Sequence, residues 1–276
     1  MNYYCLVAGL PDLHAEDTKG FLSPEDLRAE LTGQLSTTDV KLLALLYAKY
    51  DNQNFLRYLQ RHDAALTPLG NLTADDWKEL FDMMQETEHP QDNRLLPYFL
   101  TYYQYIQDEE HLNNGIASED YLSGLYFEYA MQVDNPFLRS WFEFNLNLHN
   151  LLTAISCRKH GYDQQKLIIG HNEVARMLRH THARDYGVGS LFEYTDEVLK
   201  LAEEPDLMGR EKKIDALKWA WLDEHTFFNY FSIERVLAFV LKTEMLERWR
   251  MLSLEAGSAI FRDLLTSLKK DVVVKV

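Results

Sequence analysis

Apolar residues recur at intervals of three and four along most of the chain, and helix-breaking residues are scarce, with 7 Pro and 12 Gly among 276 residues. This spacing is typical of amphipathic helices, because it places apolar side chains on one face of a 3.6-residue turn. We therefore predict an all-α fold of stacked amphipathic helices. Polar breaks at residues 88–94 and 113–115 are candidate subdomain edges.

Capping residues mark where several helices begin. Ser23 followed by Pro24 predicts a helix over 24–33, since Ser accepts hydrogen bonds from free N–H groups and Pro suits the first helical position. A second helix is expected over 36–60, and Thr73 predicts the start of another. The ten residues that open the chain are expected to be extended or to form a short helix.

Two long amphipathic helices dominate the second half. The first begins at Asn135-Pro136 and ends at Gly161, and its apolar stripe comprises Phe137, Trp141, Phe144, Leu148, Leu151 and Ile155. The second is predicted from Ser232 to Glu255, with Gly257 after it, and its stripe comprises Ile233, Val236, Leu237, Val240, Leu241, Met245 and Leu252. A shorter helix is expected after each glycine, over 164–169 and 259–268, which hints at an internal repeat.

Composition and charge narrow the class of partner. The apolar share of 46% and charged share of 26% are those of a globular protein. The formal net charge of −15 argues against nucleic acid, whose phosphates recruit Lys and Arg, and against direct insertion into an anionic lipid surface. A protein partner is the simpler expectation.

The cysteine count and the chain start favour a cytoplasmic protein. Cys5 and Cys157 lie in no CxxC or zinc-type spacing, which fits a reducing compartment. The first residues lack the basic region and cleavage site of a signal peptide, and no apolar run reaches the ~20 residues of a spanning helix. Any contact with a membrane is therefore expected through a membrane protein.

Two segments carry a resemblance to a known family. Residues 147–161, Asn-Leu-His-Asn-Leu-Leu-Thr-Ala-Ile-Ser-Cys-Arg-Lys-His-Gly, resemble a helix of the C-subunit family of V-type and A-type ATPases, in which an amide or acid, apolar positions, a basic pair and Gly follow one another. Residues 230–244, Tyr-Phe-Ser-Ile-Glu-Arg-Val-Leu-Ala-Phe-Val-Leu-Lys-Thr-Glu, are similar to the C-terminal helix of the same family. Ser156 departs from the family pattern, which usually has Arg there, so a divergent bacterial branch is expected.

The resemblance implies a non-catalytic connector without a cofactor. Members of the family, which includes the eukaryotic d-subunit, form a funnel of three pseudo-repeated helical subdomains on the cytoplasmic face of the membrane rotor ring. They receive the end of the central stalk and transmit torque. On this interpretation residues 1–276 form one subunit, with possible subdomains 1–90, 91–185 and 186–276, peripheral to the inner membrane through its protein partners.

Five residues are candidates for partner binding. Glu244 lies on the apolar face of its helix, and Arg248 follows one turn later, so the two are expected to pair. With Arg250 they either line the socket for the stalk or form an internal ion pair or a partly solvated edge. Asn150 matches a family position and bonds across a helix interface or is an ordinary exposed amide. Arg158 belongs to the basic pair that precedes Gly161.

Histidine-rich and glycine-rich segments raise other possibilities. His171 and His182 are too far apart for one helix to join them, so only His180 with His182, or His182 with Asp185, could ligate a metal together. His62-Asp63 resembles the HD pair of helical metallophosphohydrolases, but the further ligands are missing. We expect residues 187–190, Gly-Val-Gly-Ser, to form a loop, because no strand precedes them.

Paired aromatics allow two interpretations. Tyr102-Tyr103-Tyr105, Trp141-Phe142 and Trp219-Trp221 either pack between helices or anchor a partner. Two rival functions therefore stay open beside the connector: a helical-repeat interaction module unrelated to ATPases, and a helical metal-dependent hydrolase.

Overall fold

The computed structural model describes residues 2–17, 22–62, 64–88, 90–107 and 118–252. Within these ranges every regular element is an α-helix, which confirms the predicted all-α class. The break at 113–115 and the second copy of the hinted repeat, Gly257 with 259–268, lie outside the described residues. No helix in the described ranges is both long and apolar enough to cross a membrane.

The described ranges contain twelve helices. They are α1 (Tyr4–Gly9), α2 (Pro24–Gln34), α3 (Thr37–Gln60), α4 (Ala74–Glu86), α5 (Pro97–Gln107), α6 (Ser118–Ala130), α7 (Pro136–His160), α8 (Gln164–Leu167), α9 (Glu173–His180), α10 (Thr195–Ala202), α11 (Leu207–Thr226) and α12 (Ile233–Met251).

The helices group into two compact units. The first contains the described residues up to Ser36 together with those from Asp215 onward, and the second is Thr37–Ile214. The boundaries predicted near residues 90 and 185 both fall inside the second unit. The three subdomains stay a prediction.

The predicted caps begin the helices as expected. The Ser23 hydroxyl accepts a hydrogen bond from the Asp26 N–H at 3.1 Å, which starts α2. At the start of α4, the Thr73 hydroxyl accepts from the Asp76 N–H at 3.2 Å, and the Asp76 carboxylate accepts from the Thr73 N–H at 2.9 Å. This reciprocal arrangement satisfies two of the N–H groups that a helix start leaves unpaired.

The first half of the second unit packs around one phenylalanine. Phe55 of α3 is fully buried, and its ring lies 4.9 to 5.7 Å, centroid to centroid, from four other rings, those of Trp77, Phe81, Phe99 and Tyr102. These rings come from α4 and α5, so one side chain joins three helices. Aromatic pairs at such distances add to the energy of burial itself.

The second half of this unit packs around α7. Asn135 caps this helix by accepting from the Leu138 N–H at 2.9 Å, and Gly161 ends it with a left-handed backbone, φ 73°. The predicted stripe of α7 is buried, except for Ile155, which is half-buried. Helices α6, α8, α9 and α10 all contact α7, which makes it the central element of this half.

In the first unit α2 packs against α12. The predicted stripe of α12 is buried from Ile233 to Leu241, whereas Met245 is half-buried and Leu252 is exposed. The chain start joins this unit through Tyr3, whose N–H donates to the Phe231 carbonyl at 2.7 Å. This contact places α1 beside the loop that precedes α12.

Candidate functional site

The first unit carries a group of exposed aromatic side chains. Four lie in the short connection between α11 and α12, namely Phe227, Phe228, Tyr230 and Phe231, and the fifth is Tyr4. Phe228 is 92% exposed and Phe227 is 72% exposed. We call these five residues the aromatic surface. Contiguous apolar groups of this kind on a folded protein mark binding sites more often than isolated exposed side chains do.

The rings of the aromatic surface contact one another in two groups and leave their outer faces in water. Ring centroids lie 5.0 Å apart for Phe227 and Phe228, 5.0 Å for Tyr230 and Phe231, and 4.8 Å for Tyr4 and Phe231. The Arg235 guanidinium lies 5.3 Å from the Tyr230 ring centre. The exposed rings therefore form two groups on one short connection, and a cation lies beside the group that contains Tyr230.

Backbone hydrogen bonds hold the connection in place. The Asn229 N–H donates to the Thr226 carbonyl at 3.1 Å, and the Ser232 N–H donates to the Asn229 carbonyl at 3.3 Å. Thr226 is buried at the end of α11, and its hydroxyl donates to the Leu222 carbonyl at 2.7 Å. These turns fix the backbone, so the exposure of the rings does not come from a loop without internal contacts.

A charged cavity of about 260 Å³ lies in the same unit. It is lined by the segment 11–15 and by Trp219, Asp223, Arg235 and Lys242, among others. The Lys242 ammonium donates to the Asp223 carboxylate at 2.5 Å and lies 4.5 Å from the Trp219 ring centre. Burial lowers the pKa of Lys242, and the hydrogen bond to Asp223 opposes that shift.

The structure gives Arg248 a partner that the sequence did not suggest. Its guanidinium lies 2.5 Å from the Asp215 carboxylate of α11, which also accepts from the Trp249 indole N–H at 2.7 Å. Glu244, expected to be the partner of Arg248, is half-buried. Arg250 is exposed and pairs with Glu247 of its own helix at 2.5 Å. The cluster thus joins α12 to α11 through Asp215.

Asn150 has an internal role. It is fully buried, its amide donates to the Ile169 carbonyl at 2.8 Å, and its oxygen accepts from the Ile169 N–H at 3.1 Å. Of the two alternatives, burial excludes the exposed amide, and the side chain instead bonds to the segment that follows α8. Because both sides of the side chain are used within the unit, Asn150 is not available to touch a partner, and its place in the predicted binding set is corrected to a fold-stabilising one.

Arg158 is exposed at the end of α7 and lines a cavity of about 400 Å³ in the second unit. Its guanidinium lies 3.8 Å from the Tyr186 ring centre, and its Nη1 donates to the Arg184 carbonyl at 3.3 Å. Of the predicted binding residues, Glu244, Arg248 and Arg250 share one helix of the first unit, whereas Asn150 and Arg158 belong to α7 of the second.

The histidine-rich segment does not assemble a metal centre within the described residues, where no group of three or more His, Cys, Asp or Glu side chains could hold an ion. The His171 ring contacts the Glu128 carboxylate. His62 packs edge-on against Tyr58, and Asp63 lies outside the described residues. Residues 187–190 form the predicted loop, with Gly187 at φ 66°.

Sequence reasoning missed the most exposed aromatic pair and its charged neighbours. The pairs singled out from sequence are mainly core: Tyr102, Trp141, Phe142 and Trp221 are buried, and Tyr103, Tyr105 and Trp219 are half-buried. Phe227-Phe228 was not singled out, although it directly follows the end of a helix. Adjacent bulky rings after a helix terminus were the available signal, since a turn cannot bury both.

Comparison with known proteins adds one finding. No curated protein matches the chain. The sequence profile of one family matches residues 1–272, nearly the whole chain. The protein therefore belongs to the family described as "Protein of unknown function (DUF2764)".

Proposed function

We propose that this protein is a non-catalytic connector subunit of a rotary V-type or A-type ATPase, which couples the central stalk to the membrane rotor ring for ion transport. One observation carries the proposal. The segment 230–244, similar to the C-terminal helix of the C-subunit family, begins with two residues of the aromatic surface, Tyr230 and Phe231. The segment of resemblance and the most exposed apolar group of the first unit thus adjoin.

The chemistry of the aromatic surface suits a protein partner. Phe and Tyr rings bury large areas when they enter a pocket, and few rotatable bonds must be fixed for this to happen. Asp223 and Glu224, both exposed, precede the loop by a few residues. The complementary surface would be an apolar pocket with a basic rim, in keeping with the net charge of −15.

Transmission of torque requires that a binding surface be attached to a stiff body, and the hairpin of α11 and α12 has the required cross-links. Asp215 of α11 binds both Arg248 and Trp249 of α12. Nearer the loop, Asp223 of α11 binds Lys242 of α12. Charged pairs at two levels resist sliding of the helices, because displacement would leave a buried polar group without its partner.

The location follows from the same proposal. The protein would lie in the cytoplasm, at the inner membrane, and would reach that membrane through the rotor ring rather than by inserting a helix. No cofactor and no catalytic residue enter this role. The funnel of three subdomains stays a prediction from the resemblance.

The decisive experiment is affinity purification of the tagged protein from detergent-solubilised native membranes, with identification of all co-purifying chains. Stalk and ring subunits of a rotary ATPase should be recovered in constant proportion to the tagged protein. Recovery of the protein without any such subunit would overturn the connector proposal.

A matched pair of variants tests the surface itself. Phe228→Ser removes the most exposed ring, and Leu207→Ser removes a 62%-exposed apolar side chain of the second unit. If the aromatic surface binds the partner, Phe228→Ser should lower recovery of the ATPase subunits about tenfold or more, the loss of ~1.4 kcal/mol or more that truncation of an interface anchor causes. Leu207→Ser should leave recovery unchanged.

The second candidate is a helical-repeat interaction module unrelated to ATPases. The aromatic surface favours it as well, because a module of that kind also needs exposed anchors. The same purification separates the two: a constant set of other proteins, lost with Phe228→Ser, would identify the module. The third candidate, a metal-dependent hydrolase, requires stoichiometric metal in the purified protein by elemental analysis.

A further inference from the structure

The second unit contains a basic cavity to which the connector proposal assigns no ligand, although Arg158 in its lining is among the predicted partner-binding residues. It has a volume of about 400 Å³ and lies where α7 ends, beside α8 and the segment after α9. Its lining includes Arg158, Tyr162, Gln164, Arg179, Thr181 and His182. Sites for small molecules in proteins typically have volumes of a few hundred Å³ and combine a ring surface with a few convergent polar groups.

The Arg158 guanidinium is held in one orientation by neighbouring groups that use only part of its N–H donors. Stacking on the buried Tyr186 ring, 3.8 Å below, orients the guanidinium plane, and one hydrogen bond from Nη1 to the Arg184 carbonyl fixes its rotation. Within the described chain, Nη2 and Nε of Arg158 donate to no protein group. An oriented guanidinium with free N–H groups is the arrangement that binds an oxyanion through two parallel hydrogen bonds.

The backbone beneath Arg158 is strained to hold this ring. Tyr186 has φ 62°, in the left-handed region, and Gly187 follows at φ 66°. A residue with a side chain rarely adopts this conformation, because its Cβ crowds the carbonyl oxygen that follows. The surrounding structure retains that strain, and its result is an aromatic platform directly under the guanidinium.

Arg179 supplies a second cation on the same cavity. Its Nη2 donates to the carbonyls of Ile168 at 2.8 Å and Gly170 at 2.5 Å, which fixes the side chain against the loop after α8. Partial burial lowers the pKa of Arg179, and the charge of the Glu128 carboxylate opposes that shift. A bound anion would stabilise the guanidinium charge in the same way as Glu128.

The cavity also lies in the most basic part of an acidic protein. Between residues 157 and 185, Lys and Arg outnumber Asp and Glu, whereas the whole chain has 43 acidic residues and 28 Lys and Arg. Asp163 lines the cavity too, but its carboxylate accepts the Gln165 N–H at 3.0 Å as the cap of α8. The local field therefore attracts small anions.

We propose that this cavity binds a small phosphorylated molecule, with its phosphate against Arg158 and Arg179. The His182 ring and the Thr181 hydroxyl supply further polar contacts at the same wall. Tyr162, 63% exposed at the lining, offers a ring on which the organic part of the ligand can stack. Phosphate is favoured over a carboxylate because it presents more oxygens to two guanidinium groups at once.

The test is titration calorimetry of the full-length protein with orthophosphate, ribose 5-phosphate, AMP and, as the probe without phosphate, adenosine. Saturable binding in the millimolar range or tighter is expected for at least one phosphate probe, and none for adenosine. Tighter binding of AMP or ribose 5-phosphate than of orthophosphate identifies a phosphate ester as the ligand. The reverse order identifies free phosphate.

Variants with matched charge separate a built site from general attraction. Arg158→Gln should weaken phosphate binding about tenfold or more. Arg158→Lys should recover only part of that loss, because Lys keeps the positive charge but cannot donate two parallel hydrogen bonds as a guanidinium does. The control is Lys159→Gln, an equal change of charge at an exposed position outside the lining. Failure of every phosphate probe to saturate, or an equal loss in Lys159→Gln, would overturn the proposal. Thermal unfolding of each variant confirms that it is folded.

Discussion

Clustered aromatic side chains are buried in the second unit and exposed in the first. In the second unit Phe55 is fully buried among four other rings, whereas in the first unit Phe228 is 92% exposed beside Phe227. The residue type is the same, and in both places the rings contact one another. What differs is whether water is excluded from them, and this decides whether the rings stabilise the fold or remain available to bind a partner.

The difference has a thermodynamic consequence. Removal of apolar surface from water is the main favourable contribution to folding, so the rings around Phe55 contribute to the stability of their unit. The exposed rings contribute little to folding and keep their unfavourable contact with water. Burial against another molecule would recover that free energy, which is why the aromatic surface is the natural candidate for an interface.

The largest loss of stability is expected from Phe55→Ala. Truncation opens a cavity between α3 and the rings of α4 and α5, which costs about 3–5 kcal/mol of the free energy of unfolding. Urea denaturation followed by circular dichroism measures it. A loss below about 1 kcal/mol would mean that the rings around Phe55 do not stabilise the second unit. Buried and exposed rings would then not differ in their contribution to folding.

A second effect on stability is expected in the other half of the second unit, where α7 is the central helix. Asn150→Leu keeps the shape of the side chain but leaves the Ile169 N–H and carbonyl without partners, at a cost of about 1–3 kcal/mol. Asn145→Leu is the control, because the Asn145 amide donates only to the Trp141 carbonyl of its own helix. Equal denaturation midpoints for the two variants would contradict the role assigned to Asn150.

A smaller change in stability, which depends on pH, is expected from substitution of Lys242 in the first unit. Folding lowers the pKa of Lys242 below its ordinary 10.5, chiefly through burial, so the folded state disfavours the charged amine. Wild-type stability therefore gains from deprotonation as the pH rises from the folded pKa towards 10.5. The Lys242→Met variant has no amine at this position, so its stability does not gain from this deprotonation.

The variant should accordingly equal the wild type or exceed it by about 1 kcal/mol at neutral pH. It removes the cost of burying the Lys242 charge, and Asp223, which is exposed, keeps Arg235 at 3.7 Å. The difference should narrow as the pH approaches 10.5. Urea midpoints of both proteins from neutral pH up to that value measure it, and a difference that widens with pH would show that the Asp223 contact outweighs burial.

Helix positions were predictable because their signals are local. Ser23, Thr73 and Asn135 each accept a hydrogen bond from an N–H three residues ahead, and Gly161 adopts the left-handed turn that ends α7. Such contacts need no knowledge of the rest of the chain. The same holds for the helical spacing that placed the stripe of α7.

Side-chain partners across helices were not predictable from such rules. Local spacing suggested Glu244, one turn away, as a partner of Arg248. It gave no sign of Asp215, 33 residues away, which Arg248 reaches in the structure. Asn150 reaches Ile169, 19 residues away. Exposure is equally non-local: the position of Phe227-Phe228 after a helix end was a signal in the sequence, but only the fold shows that no other helix of the described chain covers the two rings.

The smallest effect on stability is expected at the most exposed ring. Phe228→Ser should change the free energy of unfolding by no more than about 0.5 kcal/mol, because the side chain gives up almost no buried area. Measured together, Phe228→Ser and Phe55→Ala compare directly what an exposed ring and a buried ring contribute to stability. A loss of several kcal/mol would assign Phe228 to the fold of its own unit. An unchanged stability combined with lost ATPase subunits in the purification would instead assign the ring to binding, because only a partner could then be covering it.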